Sequence, residues 1–195
     1  GADIVLTFSE TVYVGSGYVK IFKSDGSLVE NISVTSGKVT GNNSNKITID
    51  PSINFACGTG YYINIPHDEY GGPFTNSWGD PLAAITDNST MNFTTEDSCV
   101  PTLTSSVPAD GATGVAQGAN IVLTFSEAVN TASGDVKIFK SDGSLVETIS
   151  VTGGQVTGGS SSTITVNPSS DLASGTGYYV NIAAGAFKDV AGNSY

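Results

Sequence analysis

Gly1-Ala-Asp-Ile-Val-Leu-Thr-Phe-Ser-Glu10 returns with a single change as Gly118-Ala-Asn-Ile-Val-Leu-Thr-Phe-Ser-Glu127, and this doublet decides the architecture. Extended outward, residues 1–65 align without a gap on residues 118–182, with 45 of the 65 positions identical. A chain of 195 residues suits one large domain or two of about 100, and repetition at this level selects two. Within the quoted stretch Ile4, Leu6 and Phe8 alternate with Val5, Thr7 and Ser9, the period of a strand with one buried face. Ile121, Leu123 and Phe125 repeat the pattern.

The segments that follow also read as strands. Residues 19–23 and 28–34 flank Ser24-Asp25-Gly26-Ser27, where Asp can bond the turn backbone and Gly can take positive φ, which predicts a hairpin. Residues 46–50 and 61–65 supply two more strands, repeated at 163–167 and 178–182. With a leading strand at 102–107 and a closing strand at 91–95, a complete module has about seven, the number of a Greek-key sandwich. The predicted fold is therefore all-β, two tandem sandwiches with almost no helix.

After Ile65 and Ile182 the register slips by four residues, because the first repeat carries a longer loop at 66–73 that holds the only histidine, His67. The match resumes with Phe74, Gly79 and Asp80 opposite Phe187, Gly192 and Asn193. Pro101 and Pro108 place the boundary near 98–101, giving repeat 1 as 1–99 and repeat 2 as 100–195 with a linker short enough to predict a stiff pair. Repeat 1 has no counterpart of 102–107 and repeat 2 none of 91–95, so each module alone is an incomplete sandwich. An open sheet edge invites a strand from a neighbour. The chain is thus expected to be a slice of a longer array, or to join copies head to tail into filaments.

Composition narrows the class. Eighteen acidic residues stand against seven Lys and no Arg, a net charge of −11, which argues against nucleic acid as a partner. Such a surface suits solubility outside the cell and hard divalent cations. No stretch approaches the roughly 20 apolar residues of a membrane span, so no membrane insertion is expected. The chain opens on a strand with no signal peptide or basic targeting run, as a mature or excised fragment would.

Three further segments carry a family likeness: Pro108-Ala-Asp-Gly-Ala-Thr-Gly-Val115 leading into 121–127, Leu172-Ala-Ser-Gly-Thr-Gly-Tyr-Tyr179, and Phe187-Lys-Asp-Val-Ala-Gly-Asn193. With them the whole chain resembles the bacterial Ig-like domains repeated in large surface adhesins, S-layer-associated proteins and secreted multidomain enzymes. The resemblance implies an Ig-like β-sandwich acting as a spacer or adhesion module, extracellular or on the cell surface, with no catalytic residues. Its expected partners are neighbouring copies or repeats of the same protein, and surface carbohydrate.

The candidate chemistry is sparse. His67 lies in an insertion that repeat 2 lacks and has no orienting partner in the sequence, so no enzyme is expected. A carbohydrate-binding accessory module, the alternative function, would use Tyr13, Tyr18, Tyr70 and Trp78 as stacking platforms, whereas Tyr61 and Tyr178 read as packing residues. No cofactor is required. A calcium ion would draw on Glu10, Asp68, Glu69 and Asp80 in repeat 1 and on Glu127, Asp189 and Asn193 in repeat 2, stiffening the pair more than folding either module. Asp-Gly and Gly-Asn are also ordinary turn chemistry. Sequons at Asn31, Asn42, Asn88 and Asn92 are expected by chance in so Ser/Thr-rich a chain.

Cys57 and Cys99 stand outside metal-ligand spacing of any second Cys or His. Cys57 precedes the strand at 61–65 and Cys99 follows the strand at 91–95, so antiparallel pairing of those strands would bring the two together as a disulfide. Ser174 takes the place of Cys57 in repeat 2.

Overall fold

The alternation in the opening stretch sorts the side chains of the first long strand, β1 (Ile4–Val14), where Leu6 and Val12 are buried while Val5 and Thr7 face outward. The computed structural model describes residues 2–67 and 71–195, with sixteen strands and no helix among them, in two units, Gly1–Asp97 and Ser98–Tyr195. Among the described residues no helix is long and apolar enough to cross a membrane.

Repeat 1 continues with β2 (Tyr18–Lys23), β3 (Leu28–Ser33), β4 (Val39–Thr40), β5 (Ser44–Ile49), β6 (Gly60–Asn64), β7 (Phe74–Thr75) and β8 (Asn92–Thr94). They form two antiparallel sheets in the orders β4-β5-β1-β7 and β3-β2-β6-β8. β1 pairs β5 from Ile4↔Ile49 to Thr7↔Lys46, shifts register before Val12↔Ser44, and then pairs β7 through Tyr13↔Thr75. The irregularity re-aims the strand, as β-bulges do. The core joins Leu6, Val12, Ile47 and Ile49 of one sheet to Val19, Ile21, Ile32 and Ile63 of the other. Each such side chain contributes about 1.5–3 kcal/mol by leaving water.

The β2–β3 hairpin has the predicted chemistry. Asp25 Oδ1 accepts from the Ser27 N–H at 2.8 Å, the Gly26 N–H donates to the Lys23 carbonyl at 2.9 Å, and Gly26 sits at φ +89°. Ser141–Ser144 repeats it, with Gly143 also at φ +89°.

Repeat 2 comprises β9 (Leu103–Val107), β10 (Ile121–Thr131), β11 (Asp135–Lys140), β12 (Leu145–Ser150), β13 (Val156–Thr157), β14 (Ser161–Val166), β15 (Tyr178–Ile182) and β16 (Phe187–Lys188). Its sheets run β13-β14-β10-β16, with β9 added alongside β10, and β12-β11-β15. β9 has no equivalent in repeat 1, and β8 none beside β15, among the described residues. The consequence is visible in β10, where Ile121, Leu123 and Phe125 are all buried, whereas Ile4 and Phe8 of β1 are only half-buried.

Cys57 and Cys99 form a disulfide, and β6 and β8 pair antiparallel through Gly60↔Thr94, Tyr61↔Phe93 and Tyr62↔Asn92. The same seam carries hydrogen bonds. Thr95 Oγ1 donates to the Ala56 carbonyl at 2.6 Å and accepts from the Thr59 N–H at 2.9 Å. Tyr61 and Phe93 stack beside it and Phe55 meets both edge-on, with ring centroids 4.8 to 5.6 Å apart.

Candidate functional site

Acidic and amide side chains in this molecule are used first to hold turns. In repeat 1 the Glu30 carboxylate on β3 accepts from Lys38 Nζ at 2.9 Å, from the Ser52 N–H at 2.9 Å and from Ser52 Oγ at 2.7 Å. Glu147 repeats the latch in repeat 2, accepting from Gln155 Nε2 at 2.8 Å and the Ser169 N–H at 3.1 Å. Burial pushes both carboxyls up, but these bonds outweigh it and hold each below the ordinary glutamate value. Asp87 caps the approach to β8, accepting from the hydroxyls and N–H groups of Thr90 and Ser89, and is held well below the usual carboxylate range. A carboxylate whose folded pKa is depressed adds stability above its unfolded pKa, and that stability is lost as pH falls through the folded value. Urea unfolding is therefore expected to give constant stability from neutral pH to about pH 5 and a decline below about pH 4, where the unfolded carboxylates take up protons first.

The residues considered for calcium separate in space and chemistry. Glu10 is exposed near the middle of β1, and Asp68 and Glu69 lie outside the described residues. Asp80 closes the turn after β7, where Asn76 Oδ1 accepts from the N–H groups of Trp78 and Asp80, each at 2.9 Å. In repeat 2 the same turn exchanges acid and amide. Buried Asp189 accepts from the Asn193 N–H at 2.7 Å and from Asn193 Nδ2 at 2.8 Å. Burial pushes the Asp189 carboxyl up, and the Asn193 bonds with the Gly192 and Ala191 N–H groups hold it below the ordinary aspartate value. Glu127 joins it, with carboxylate oxygens of the two within 4.8 Å of one another. Glu127, Asp189 and Asn193 are thus gathered in repeat 2. In repeat 1 the equivalent of Asp189 is the neutral Asn76.

The aromatic candidates form no shared platform by pairing with one another, since none of the ring contacts among the described residues joins Tyr13, Tyr18 and Trp78. Tyr13 is half-buried in β1 and Tyr18 is exposed at the start of β2; Tyr70 lies outside the described residues. Trp78 is 87% exposed at the tip of the Asn76 turn. Tyr61 is a packing residue, its hydroxyl accepting from the Ala56 N–H at 2.9 Å, and Tyr178 accepts from the Ala173 N–H at 2.8 Å in the same way. His67 Nε2–H donates to the Leu82 carbonyl, a structural bond in its loop.

One feature escaped sequence reasoning. β6 and β15 are nearly the same strand, yet Ile63 is 1% exposed and its counterpart Val180 is 36% exposed. The difference lies in the neighbour: β8 covers β6, and β15 is the edge of its sheet. The matching of segments 61–65 and 178–182 held the signal, once set beside the missing counterpart of 91–95.

Comparison with known proteins gives a family. The bacterial Ig-like domain matches the chain twice, over residues 1–95 and 97–195. No curated protein matches the chain. A solved structure described as the BSP domain of a biofilm associated protein is similar at 13% identity and a TM-score of 0.24; the match covers all of this chain and 28% of that one.

Proposed function

The chain belongs to the bacterial Ig-like domain family, and from that premise we propose that it is a non-enzymatic structural or adhesive module of an extracellular, cell-surface or fibre-forming repeat protein. The observation that carries this reading is what the duplication keeps. Retained between repeats are the hairpin turn at Ser24–Ser27, the Glu30 latch, the Tyr61 hydroxyl bond and the core alternation, all of which build the sandwich. Changed are the exposed or half-exposed candidates for ligand contact, as Tyr13, Tyr18 and Trp78 give way to Asn130, Asp135 and Ala191. A duplication that preserves scaffold and lets ligand-facing positions drift supports a spacer. Proteolytic shaving of intact cells is expected to release peptides of this chain, and their release only after lysis would contradict a surface role.

In this reading the chain is one stretch of a tandem array of such repeats, and copies meet head to tail. Calcium belongs to the proposal only at Glu127 and Asp189, whose carboxylate oxygens come within 4.8 Å of one another, with Asn193 bonded to Asp189.

A carbohydrate-binding reading rests on Trp78, a fully presented indole on a turn fixed by two hydrogen bonds to Asn76. Its expected signature is retardation in polysaccharide-containing gels that Trp78→Ala abolishes. Equal mobility of the two proteins in every gel would remove it.

A further inference from the structure

The β3-β2-β6-β8 sheet of repeat 1 carries an aromatic pair that the core does not use. Val19 and Ile21 of β2 and Tyr61 and Ile63 of β6 are buried, so Phe22 and Tyr62 project from the opposite, solvent side, where both are half-buried. They are cross-strand partners, with ring centroids 5.0 Å apart and planes 8° from parallel. At that distance parallel rings overlap face to face, so Phe22 covers one face of Tyr62 and the other is turned toward β8. There a hollow of about 140 Å³ opens, lined by Tyr62 with Ser24, Gly60, Asn88, Asn92 and Thr94. Gly60 is its floor: a Cβ there would stand 3.0 Å from Ser24 Oγ and 3.9 Å from Thr94 Oγ1, so its absence keeps the space between two hydroxyls open. The far rim is held in place by its own bonds. Asp87 Oδ1 accepts from the Ser89 and Thr90 N–H groups at 2.7 and 2.6 Å, and Asn92 Nδ2 donates to the Ser89 carbonyl at 2.8 Å, which leaves Asn92 Oδ1 to accept.

We propose that this hollow binds one neutral pyranose ring of a carbohydrate, stacked on Tyr62. The lining decides the ligand class. It sets one aromatic face against hydroxyl and amide groups and includes no charged side chain, in a chain with eighteen acidic residues and seven Lys. A pyranose has the matching parts: its C–H groups, slightly positive, lie against the electron-rich face of the ring, and its hydroxyls reach Ser24, Thr94 and Asn92. A carboxylated sugar gains nothing here, because no cation lines the hollow and a net charge of −11 repels it. The Phe22–Tyr62 pair by itself is ordinary cross-strand stabilisation, and Phe139–Tyr179 repeats it at 5.1 Å and 9°. What makes a site of it is the polar wall that β8 and the Asp87 turn set opposite the ring. Trp78 is not among the lining residues, so the site is distinct from the indole considered above and goes beyond the structural role.

The test titrates the isotope-labelled full chain with methyl β-glucopyranoside and methyl α-mannopyranoside and follows its backbone amides by nuclear magnetic resonance. At least one of the two is expected to shift the Gly60, Tyr62 and Asn92 amides and to saturate them by about 50 mM, a millimolar affinity. Methyl β-glucuronide is expected to bind at least about fivefold more weakly than the glucopyranoside. Tyr62→Leu keeps an apolar residue at an outward strand position and is expected to weaken binding at least about tenfold, whereas Tyr62→Phe, which keeps the ring, weakens it by less than about threefold. Silence of all three amides with both neutral sugars would overturn the proposal. So would shifts confined to the turn around Trp78, shifts undiminished in Tyr62→Leu, or glucuronide binding equal to that of the glucopyranoside. The mapping on the unaltered chain decides even where Tyr62→Leu destabilises repeat 1. Each of these results leaves the surface-shaving test of the module's role standing by itself.

Discussion

Replacing Cys57 and Cys99 by serine is expected to lower the stability of repeat 1 by about 4 kcal/mol, the chain-entropy value for a closed loop of about 40 residues, and to leave repeat 2 unchanged. The bond joins the loop before β6 to the segment leaving β8, so it fixes the closing strand where it adds to the sheet. Losing it leaves β8 held by three residue pairs, the Thr95 bonds and the Phe55–Tyr61–Phe93 rings. Repeat 2 has Ser174 in place of Cys57 and serves as the control within the same molecule. Calorimetry should show one transition moving down and the other fixed. A shift below about 1 kcal/mol, or an equal shift of both transitions, would mean that the bond does not constrain repeat 1 in the way its position implies.

The second large effect is expected at Phe187, whose removal to alanine should cost repeat 2 about 3–5 kcal/mol. The ring is fully buried, lies 5.3 Å from Phe125 between centroids, and Phe125 in turn meets Tyr195 edge-on at 5.2 Å. A cavity of that size at the meeting of β10 and β16 cannot be refilled by the small neighbour Ala186. Repeat 2 carries Ser174 in place of Cys57 and so lacks the bond that fastens repeat 1, and Phe187→Ala should unfold it while the transition of repeat 1 persists. A variant losing less than about 1 kcal/mol would show that the core relaxes around the site.

The long strands were legible because half-burial writes a period of two into the sequence, as Ile4, Leu6 and Phe8 show, and the hairpin because Asp25 and Gly26 each have a local reason to be in a turn. The cysteine pairing followed from the strands. The two-residue strands β4, β7, β13 and β16 were not legible, since two residues have no period, and their pairing is decided by long-range register such as Val39↔Ile49. The Glu30 latch spans 22 residues to Ser52 and has no sequence signature. Glu127 and Asp189 stood among the calcium candidates, but that they meet, and that Asp189 is buried, depends on β10 pairing β16. The exposure of Val180 was beyond local reading for the same reason: an edge is a property of the neighbour, not of the strand.

Whether these repeats are structural units of a surface protein can be read from immunogold electron microscopy of whole cells with antibody raised against this chain. The expected result is label outside the cell envelope, along threads or a surface layer. Label confined to the cell interior would contradict a surface role.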